Sequence, residues 1–160
     1  MVRGSGILMH ISSLPNQFGI GTFGKEAYDF ADFLAAAAQK YWQILPLCPT
    51  SYGDSPYQSP SAFALNPYFI DFVHLEEQGL LLHDEYIHVD FGSDPGHVDY
   101  NNIYVNKELV LRKAFNRRAL LPSADVDAFL RNQESWLPDY ALYMALKNHF
   151  GHQPWESWDE

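Results

Sequence analysis

Two short apolar runs, separated by one amphipathic stretch, constrain the fold more than any other feature of the sequence. The runs are GILMHI at residues 6–11 and YWQILPL at residues 41–47. Between them, residues 25–40 carry apolar side chains three and four positions apart, which predicts a helix. Two strands joined by a helical crossover pair in parallel, because the long connection returns the chain in the same direction. The sequence therefore predicts an α/β fold that begins with two buried parallel strands.

The loops that follow these strands form the predicted ligand site. In a parallel sheet, whether a barrel or an open doubly wound sheet, ligands bind at the carboxyl ends of the strands. The two loops are SSLPNQFGIGTFG at residues 12–24 and CPTSYGDSPYQSPSAFALNP at residues 48–67. We expect both loops to open on the same face of the sheet.

The second loop mixes aromatic rings with short polar side chains. A sugar presents an apolar C–H face and a rim of hydroxyl groups, so a sugar site needs aromatic planes together with small donors and acceptors. The rings are Tyr52, Tyr57 and Phe63, and the polar groups are Asp54, Ser55, Gln58, Ser59 and Asn66. A loop packed only by its own rings explains the same composition, so the residues alone leave both interpretations open.

A pair of catalytic carboxylates is missing from this loop. A glycosidase places two carboxyl groups on either side of the scissile bond, but Asp54 is the only acidic residue between positions 48 and 67. An Asx-type turn around Asp54 is the structural alternative to a direct role in catalysis. The chain by itself is therefore predicted to lack a catalytic pair.

Three other kinds of site receive little support. Gly19, Gly21 and Gly24 match G-x-G-x-x-G, but residues 12–18 separate them from the strand, and the expected acidic residue is missing. The seven histidines lack metal-ligand spacing, so no metal is predicted. Cys48 has no catalytic flanking pattern and is interpreted as a buried structural thiol.

The charge of the chain disfavours a nucleic-acid partner. Twenty acidic residues and ten Lys plus Arg give a net charge of -10, which repels phosphate. The basic residues at 112–118 lie at helical spacing and are interpreted as a solvated helix face. We expect no membrane association and a cytoplasmic location, because the N-terminus lacks a signal-peptide cleavage site and the single cysteine suits a reducing compartment.

The rest of the chain is predicted to be mainly helical. YFIDFVHL at residues 68–75 is a third strand or an extended segment, followed by a short helix that ends at Gly79. Residues 83–105 are aperiodic and are predicted to be an irregular excursion outside the core. Helices are then predicted from Asn106 as N-cap, after Ser123, and from Pro138 to a stop at Gly151.

Long segments of the chain resemble the amylomaltase family, the bacterial 4-alpha-glucanotransferases also called disproportionating enzymes. The segments are GILMHISSLP, GIGTFGKEAYDFADFLAAAAQKYWQILPL and SYGDSPYQSPSAFALNPYFID. The similarity continues through VDYNNIYVNKELVLRKAF and DYALYMALKNHFGHQPWESW, so it covers nearly the whole chain.

The resemblance implies the first part of an amylase-type (β/α)8 TIM barrel, with a largely helical insertion after the second strand. Residues 1–82 would begin the catalytic barrel, residues 83–160 would form the inserted subdomain, and the rest of the barrel would be absent. The implied reaction transfers α-1,4-glucan segments between maltooligosaccharides, or starch and glycogen chains, with retention through a covalent glycosyl-enzyme. No cofactor and no metal is implied.

The resemblance also assigns site residues by position. Tyr57 matches the family tyrosine that stacks on the sugar beside the cleaved bond, and Ser55 and Asp54 line or support that end of the cleft. Tyr52 and Tyr104 match a pair that forms a second glucan-binding patch in some bacterial members. The partners implied are α-1,4-glucans.

The family's catalytic carboxylates lie on later strands, beyond Glu160, so the resemblance implies that this chain alone is inactive. The alternatives are a non-catalytic α-glucan-binding fragment and a purely structural domain. His10 and Ser13, at the end of the first strand, have no assigned role. The sequence leaves open the preferred glucan length, the oligomeric state and whether the truncation is natural.

Overall fold

The computed structural model describes residues 3–94 and 96–158 and contains two strands and six α-helices in these ranges. The elements are β1 (Gly6–Leu8), α1 (Lys25–Ala36), β2 (Tyr41–Gln43), α2 (Phe72–Glu77), α3 (Tyr100–Asn102), α4 (Glu108–Asn116), α5 (Ser123–Asn132) and α6 (Leu137–His149). Short 3-10 turns and a π-helical segment, Ile103–Lys107, connect several of them.

The predicted parallel strand pair is confirmed. β1 and β2 run in the same direction, with Gly6 opposite Tyr41 and Leu8 opposite Gln43. The prediction that both strands are buried is wrong, because Leu8 and Tyr41 are 56% and 67% exposed. In the described part of the chain, no further strand pairs with these two. Each strand is three residues long, and its outer edge remains open to solvent.

The predicted crossover helix is also confirmed, although α1 ends at Ala36 rather than near residue 40. The helix stops because Ala38 takes a left-handed conformation (φ 56°) and the Gln39 N–H turns back to the Leu34 carbonyl. α1 covers the sheet through Phe30, whose ring centre lies 4.9 Å from that of Trp42. This contact fixes the crossover against β2.

The segment at residues 68–75 is not a strand or an extended segment, as the sequence suggested. Two short side chains redirect its backbone into helical turns. Asn66 Oδ1 accepts a hydrogen bond from the Tyr68 N–H (2.9 Å), which starts a 3-10 turn. Asp71 Oδ1 accepts from the Val73 and His74 N–H groups and thereby caps α2. The helix ends before Gly79, as predicted, where φ is 73°.

The stretch at residues 83–105 is irregular up to α3, as predicted, but it does contribute to the core. Tyr86, Phe91 and Ile103 are 1%, 3% and 0% exposed. The Tyr86 and Phe91 rings pack around those of Phe18 and Phe72, with ring centres 5.0–6.3 Å apart within the group. The prediction of an excursion outside the core is therefore wrong. The aromatic residues of this stretch have no regular spacing, but their rings pack into the same hydrophobic cluster.

The helix predicted to begin at Asn106 begins earlier. Asp99 is the N-cap, and its carboxylate accepts a hydrogen bond from the Asn102 N–H (3.0 Å). Asn106 instead lies inside the helix and donates from its side chain to the Asp90 carbonyl (2.7 Å). Between α3 and α4, the wider π-helical turns carry Lys107 into the protein interior, where the side chain is completely buried.

The remaining two helices follow the prediction. α5 begins at Ser123, and α6 carries Pro138 in its first turn and ends at His149, ahead of Gly151 with φ 61°. Neither helix contains a buried residue in the described part of the chain. The core is therefore built by the first 114 residues, and one hydrophobic cluster joins residues from both sides of position 82.

The basic run is only partly a solvated face. Arg112 is exposed and pairs with Glu108 one turn away, as expected for such a face. Arg117 instead forms a bidentate ion pair with the Glu85 carboxylate (2.6 and 2.9 Å) and also donates to the Leu80 carbonyl. The Arg117 guanidinium holds the pKa of Glu85 at about 2, so the carboxylate stays charged at neutral pH. The ion pair therefore links the end of α4 to the irregular stretch.

We expect Glu85→Gln to lower the free energy of unfolding by about 1–2 kcal/mol at pH 7, allowing for solvent screening of the pair. Because the folded-state pKa of Glu85 is depressed, this contribution is complete above about pH 4.5 and is lost as the pH falls towards 2. Urea unfolding at several pH values measures it. Glu108→Gln, in the exposed pair, is the matched control and should have little effect. An equal cost of Glu85→Gln at pH 7 and pH 2.5 would contradict the assignment.

Candidate functional site

A cleft of about 130 Å³ lies at the carboxyl ends of β1 and β2, and we call it the strand-end cleft. Residues of both following loops line it, which confirms that the two loops open on the same face. Its polar lining comes from His10, Ser12, Ser13, Thr50, Asp54, Asn66 and Tyr100. Apolar lining comes from Ile20, Leu45 and Phe69, so the cleft combines polar groups with apolar surface.

His10 is positioned by the backbone that leaves β2. The Leu45 N–H donates to His10 Nδ1 (3.2 Å), and the ring meets Phe69 edge to face at 5.5 Å. Burial lowers the pKa of His10, so the imidazole is neutral at neutral pH. A neutral ring that accepts at Nδ1 carries its proton on Nε2. His10 therefore offers one N–H donor to a ligand in the strand-end cleft.

The second loop is closed by its own backbone. The Asn66 N–H donates to the Leu47 carbonyl (2.8 Å) at the base, and the Ser51 N–H donates to the Gln58 carbonyl (3.2 Å) near the tip. Gly53 and Asp54 both take left-handed conformations, with φ of 89° and 54°. An aspartate tolerates this region better than most residues, so the tight turn at the tip is sterically feasible. The loop therefore holds Asp54 in a defined place.

Asp54 lies in the strand-end cleft and does not form the Asx-type turn that the sequence suggested. Such a turn needs an N–H two residues on, and Pro56 has none. The carboxylate instead accepts a hydrogen bond from the Thr50 hydroxyl (3.4 Å). Burial raises the pKa of the Asp54 carboxyl. Asp54 lines the cleft, so a hydroxyl donor bound there would relieve the desolvation of its carboxylate.

Tyr57 and Ser55 lie beside the strand-end cleft, next to the lining residue Pro56. The Ser55 hydroxyl accepts a hydrogen bond from the Tyr57 N–H (3.4 Å), and the Tyr57 side chain is 74% exposed. The ring is thus held at its backbone while its face remains available to a ligand. The structure brings Asp54, Ser55 and Tyr57 together on one turn of the loop.

Tyr52 and Tyr104 are not brought into ring contact with each other in the described part of the chain. Tyr52 is fully exposed at the tip of the second loop. The Tyr104 hydroxyl hydrogen-bonds with His152, and the two rings meet edge to face with centres 5.5 Å apart. The structure therefore presents these two tyrosines as separate surface rings.

Tyr100 is a lining residue that sequence reasoning missed. It comes from α3, 46 positions after Asp54, and no local pattern marks it. Burial, and then the nearby Asp54 charge, raises the pKa of Tyr100, so the phenol stays protonated. The sequence places His10 at the end of the first strand but gives it no role. The feature that could have identified His10 is its position just after β1, because ligand-binding loops follow the carboxyl ends of such strands.

Cys48 also lies in the strand-end cleft and is half-buried rather than fully buried, so the prediction of a buried structural thiol is only partly correct. Among the residues that the structure describes, no three potential metal ligands come together. Within the same ranges, no helix combines the length and apolar character needed to cross a membrane.

The fold and the cleft together define an α/β protein with a cleft at the carboxyl ends of two parallel strands, which is where proteins of this fold class bind their ligands. A family model described as 4-alpha-glucanotransferase matches residues 9–160, and the chain belongs to this family. The 4-alpha-glucanotransferase of Streptococcus pneumoniae is 52% identical over 99% of this chain and 32% of its own length. That of Thermus thermophilus is 47% identical over 98% of this chain and 31% of its own length.

A comparison with solved structures supports the same family. The amylomaltase from Streptococcus agalactiae, determined in complex with acarbose, superimposes with a TM-score of 0.95 at 47% identity. The match covers 99% of this chain and 32% of that chain. This chain therefore spans about a third of the length of the proteins that it resembles.

Proposed function

We propose that the chain is the N-terminal, glucan-binding part of a 4-alpha-glucanotransferase. The whole protein would transfer α-1,4-glucan segments between maltooligosaccharides, or starch and glycogen chains, with retention of configuration. The observation that carries this proposal is the strand-end cleft, which Asp54 lines and beside which the same loop holds the exposed Tyr57 ring, in a chain of this family. A sugar site needs an aromatic ring face for the C–H face of the sugar and polar acceptors for its hydroxyl groups.

We propose further that β1 and β2 are the first two strands of a (β/α)8 barrel. The open strand edges and the exposed Leu8 and Tyr41 side chains support this proposal, since a parallel sheet is stable when both of its faces are covered. In this arrangement residues 1–82 begin the barrel, and residues 83–160 form a mainly helical insertion. The helices α4, α5 and α6, which follow one another without an intervening strand in the described ranges, support the insertion.

The residues of the strand-end cleft, and Ser55 and Tyr57 beside it, then have distinct roles in binding. The Tyr57 ring stacks on a sugar face, while Ser55 and Asp54 line or support that end of the cleft. The neutral His10 ring donates from Nε2 to a sugar oxygen. Tyr52 and Tyr104 form surface contacts for a glucan outside the cleft, which their exposed rings support.

The chain on its own is proposed to bind glucan without transforming it. Transfer with retention needs a carboxylate nucleophile and a separate acid/base carboxyl group. Asp54 is the only carboxylate among the described lining residues of the strand-end cleft. The chemistry of the whole protein would therefore use carboxylates supplied by other parts of the barrel.

We expect Tyr57→Ala to weaken maltoheptaose binding to the strand-end cleft roughly tenfold, because it removes one aromatic stacking contact. Calorimetric titration of the 160-residue chain measures the affinity, and chromatography of the same samples incubated with maltotriose should show no glucose. Tyr28→Ala is the matched control, since Tyr28 is 65% exposed and belongs to α1, whereas Tyr57 belongs to the loop that supplies Asp54 and Pro56 to the cleft. Equal binding by the Tyr57 and Tyr28 variants, or release of glucose, would contradict the proposal.

A further inference from the structure

A second cleft, which shares no lining residue with the first, lies between the later part of the second loop and the start of α6. Its volume of about 410 Å³ falls within the range of small-molecule sites. Four aromatic rings line it, and we call it the aromatic cleft. The rings belong to Phe63, Trp136, Tyr140 and Tyr143.

Three of the four rings, those of Phe63, Trp136 and Tyr140, contact one another in series. Phe63 and Trp136 are stacked, with ring centres 5.8 Å apart and planes inclined by 22°. The Tyr140 ring follows, with its centre 6.0 Å from that of Trp136. Phe63 nevertheless remains 69% exposed, so a large apolar plane faces solvent beside the cleft. An exposed ring of this kind is suited to a ligand with a flat apolar face.

Local hydrogen bonds hold the two stacked rings in place. The Ser61 hydroxyl accepts from the Phe63 and Ala64 N–H groups, both at 3.1 Å, which fixes the backbone that carries Phe63. The Trp136 indole N–H donates to Gln133 Oε1 (2.8 Å), which satisfies its only polar group. The ring faces are therefore preorganised before any ligand arrives, which reduces the entropic cost of binding.

The polar groups of the aromatic cleft identify the kind of ligand. Asp139 offers carboxylate acceptors, and Tyr140 and Tyr143 offer phenol groups, whereas the described lining contains no Lys, Arg or His. Lys147 approaches the Tyr143 ring but does not line the cleft. A site with one negative charge and no cation repels phosphates and carboxylates. A neutral polyhydroxylated ligand satisfies both the rings and the acceptors.

We infer that the aromatic cleft is a second saccharide-binding site, which takes a neutral oligosaccharide with one sugar face against the Phe63 and Trp136 rings. Sugar hydroxyls donate to the Asp139 carboxylate and pair with the Tyr140 and Tyr143 phenols. The choice of an α-1,4-glucan as the ligand rests on the proposed function. The cleft itself depends only on its own residues, which lie outside the strand-end cleft.

Indole N–H resonances in the proton–nitrogen NMR spectrum test this inference on the intact 160-residue chain. The chain has four tryptophans, and single Trp→Phe variants assign their signals. During titration with maltoheptaose, the Trp136 signal should move and saturate. Trp155, which is 65% exposed and outside the lining, is the internal control and should not follow the same curve. The titration itself is made on the wild-type protein, and the variants serve only to assign its signals.

Two variants separate the aromatic cleft from the strand-end cleft. Phe63→Leu keeps an apolar side chain but removes the plane, and it should weaken the response of Trp136 roughly fivefold to tenfold. Tyr57→Ala should change that response by less than about twofold, since Tyr57 does not line the aromatic cleft and the two clefts share no lining residue. Phe63→Leu therefore acts on the aromatic cleft, and Tyr57→Ala acts on the strand-end cleft.

A Trp136 signal that does not move with millimolar maltoheptaose overturns the inference, even if Tyr57-dependent binding is observed by calorimetry. The opposite result, with movement at Trp136 and no effect of Tyr57→Ala on calorimetric binding, supports the aromatic cleft and contradicts the proposed function. Movement of Trp136 that is unchanged in Phe63→Leu also overturns the inference, because the stacked surface would then not be the contact.

Discussion

Replacing Lys107 with methionine is expected to raise the free energy of unfolding by about 4 kcal/mol at pH 7. The Lys107 side chain is completely buried, and its ammonium nitrogen has no hydrogen-bond partner in the described part of the chain. The nitrogen lies 4.7 Å from the centre of the Phe72 ring. Burial lowers the pKa of Lys107 from 10.5 to about 7, and the charge of Asp71 only partly offsets this effect.

The sign of the effect follows from proton binding. The unfolded chain holds a proton on Lys107 up to about pH 10.5, while the folded protein releases it near pH 7. Stability of the wild type therefore rises with pH in this window, because the unfolded state binds more protons. Methionine does not titrate, so its advantage should fall from about 4 kcal/mol at pH 7 to about 1 kcal/mol at pH 9.5.

Urea unfolding at the two pH values measures this difference. Asp71 remains satisfied in the variant, since it accepts from the Thr22 hydroxyl (2.5 Å) and from two backbone N–H groups of α2. Lys40→Met is the matched control, because Lys40 is exposed and should change stability by less than about 0.5 kcal/mol. A Lys107→Met protein that is less stable than wild type at both pH values would show that the amine is paired in solution.

Gly19→Ala is expected to destabilise the protein by at least about 3 kcal/mol, whereas Gly79→Ala should cost only about 1 kcal/mol. Both glycines have φ of 73°, so the backbone penalty is the same. A Cβ atom at Gly19 would lie 2.0 Å from the Phe91 carbonyl oxygen, but nothing lies within 4 Å of the same position at Gly79. The difference between the two variants isolates the close approach of the first loop to Phe91.

Thermal and urea unfolding of the two alanine variants give this difference directly. The Gly19 variant should also lose order around the strand-end cleft, because the lining residue Ile20 adjoins the displaced position. Equal destabilisation by both substitutions would mean that the Phe91 backbone can move away at little cost.

The elements that sequence reasoning predicted are those with a regular local signal. α1 has the three-to-four spacing of an amphipathic helix, and α6 has proline in its first turn and a glycine after its end. The parallel pairing of β1 and β2 followed from the crossover between them. Residues 83–99 have no such period, so their contribution to the core depends on long-range contacts that the local pattern does not encode.

The candidate site likewise contains some residues that the sequence identifies and others that only the fold brings together. Asp54, Ser55 and Tyr57 stand together in one segment, so their chemistry is visible in the sequence. His10 and Tyr100 reach the strand-end cleft from different parts of the chain, and only the folded backbone brings them together. The burial of Lys107 could not be predicted from the sequence either. The π-helical turns of Ile103–Lys107 change the helical spacing and carry this lysine into the interior.

The late arrival of Tyr100 in the strand-end cleft has a consequence for synthesis in the cell. The cleft cannot close while the ribosome is still extending the second loop, because 46 positions separate Asp54 from Tyr100. At ordinary elongation rates this interval is roughly 2–9 seconds. Until Tyr100 has been added, β1, β2 and their loops form an unfinished surface with exposed aromatic rings. The nascent chain therefore passes through a window in which chaperone binding competes with completion of its own ligand site.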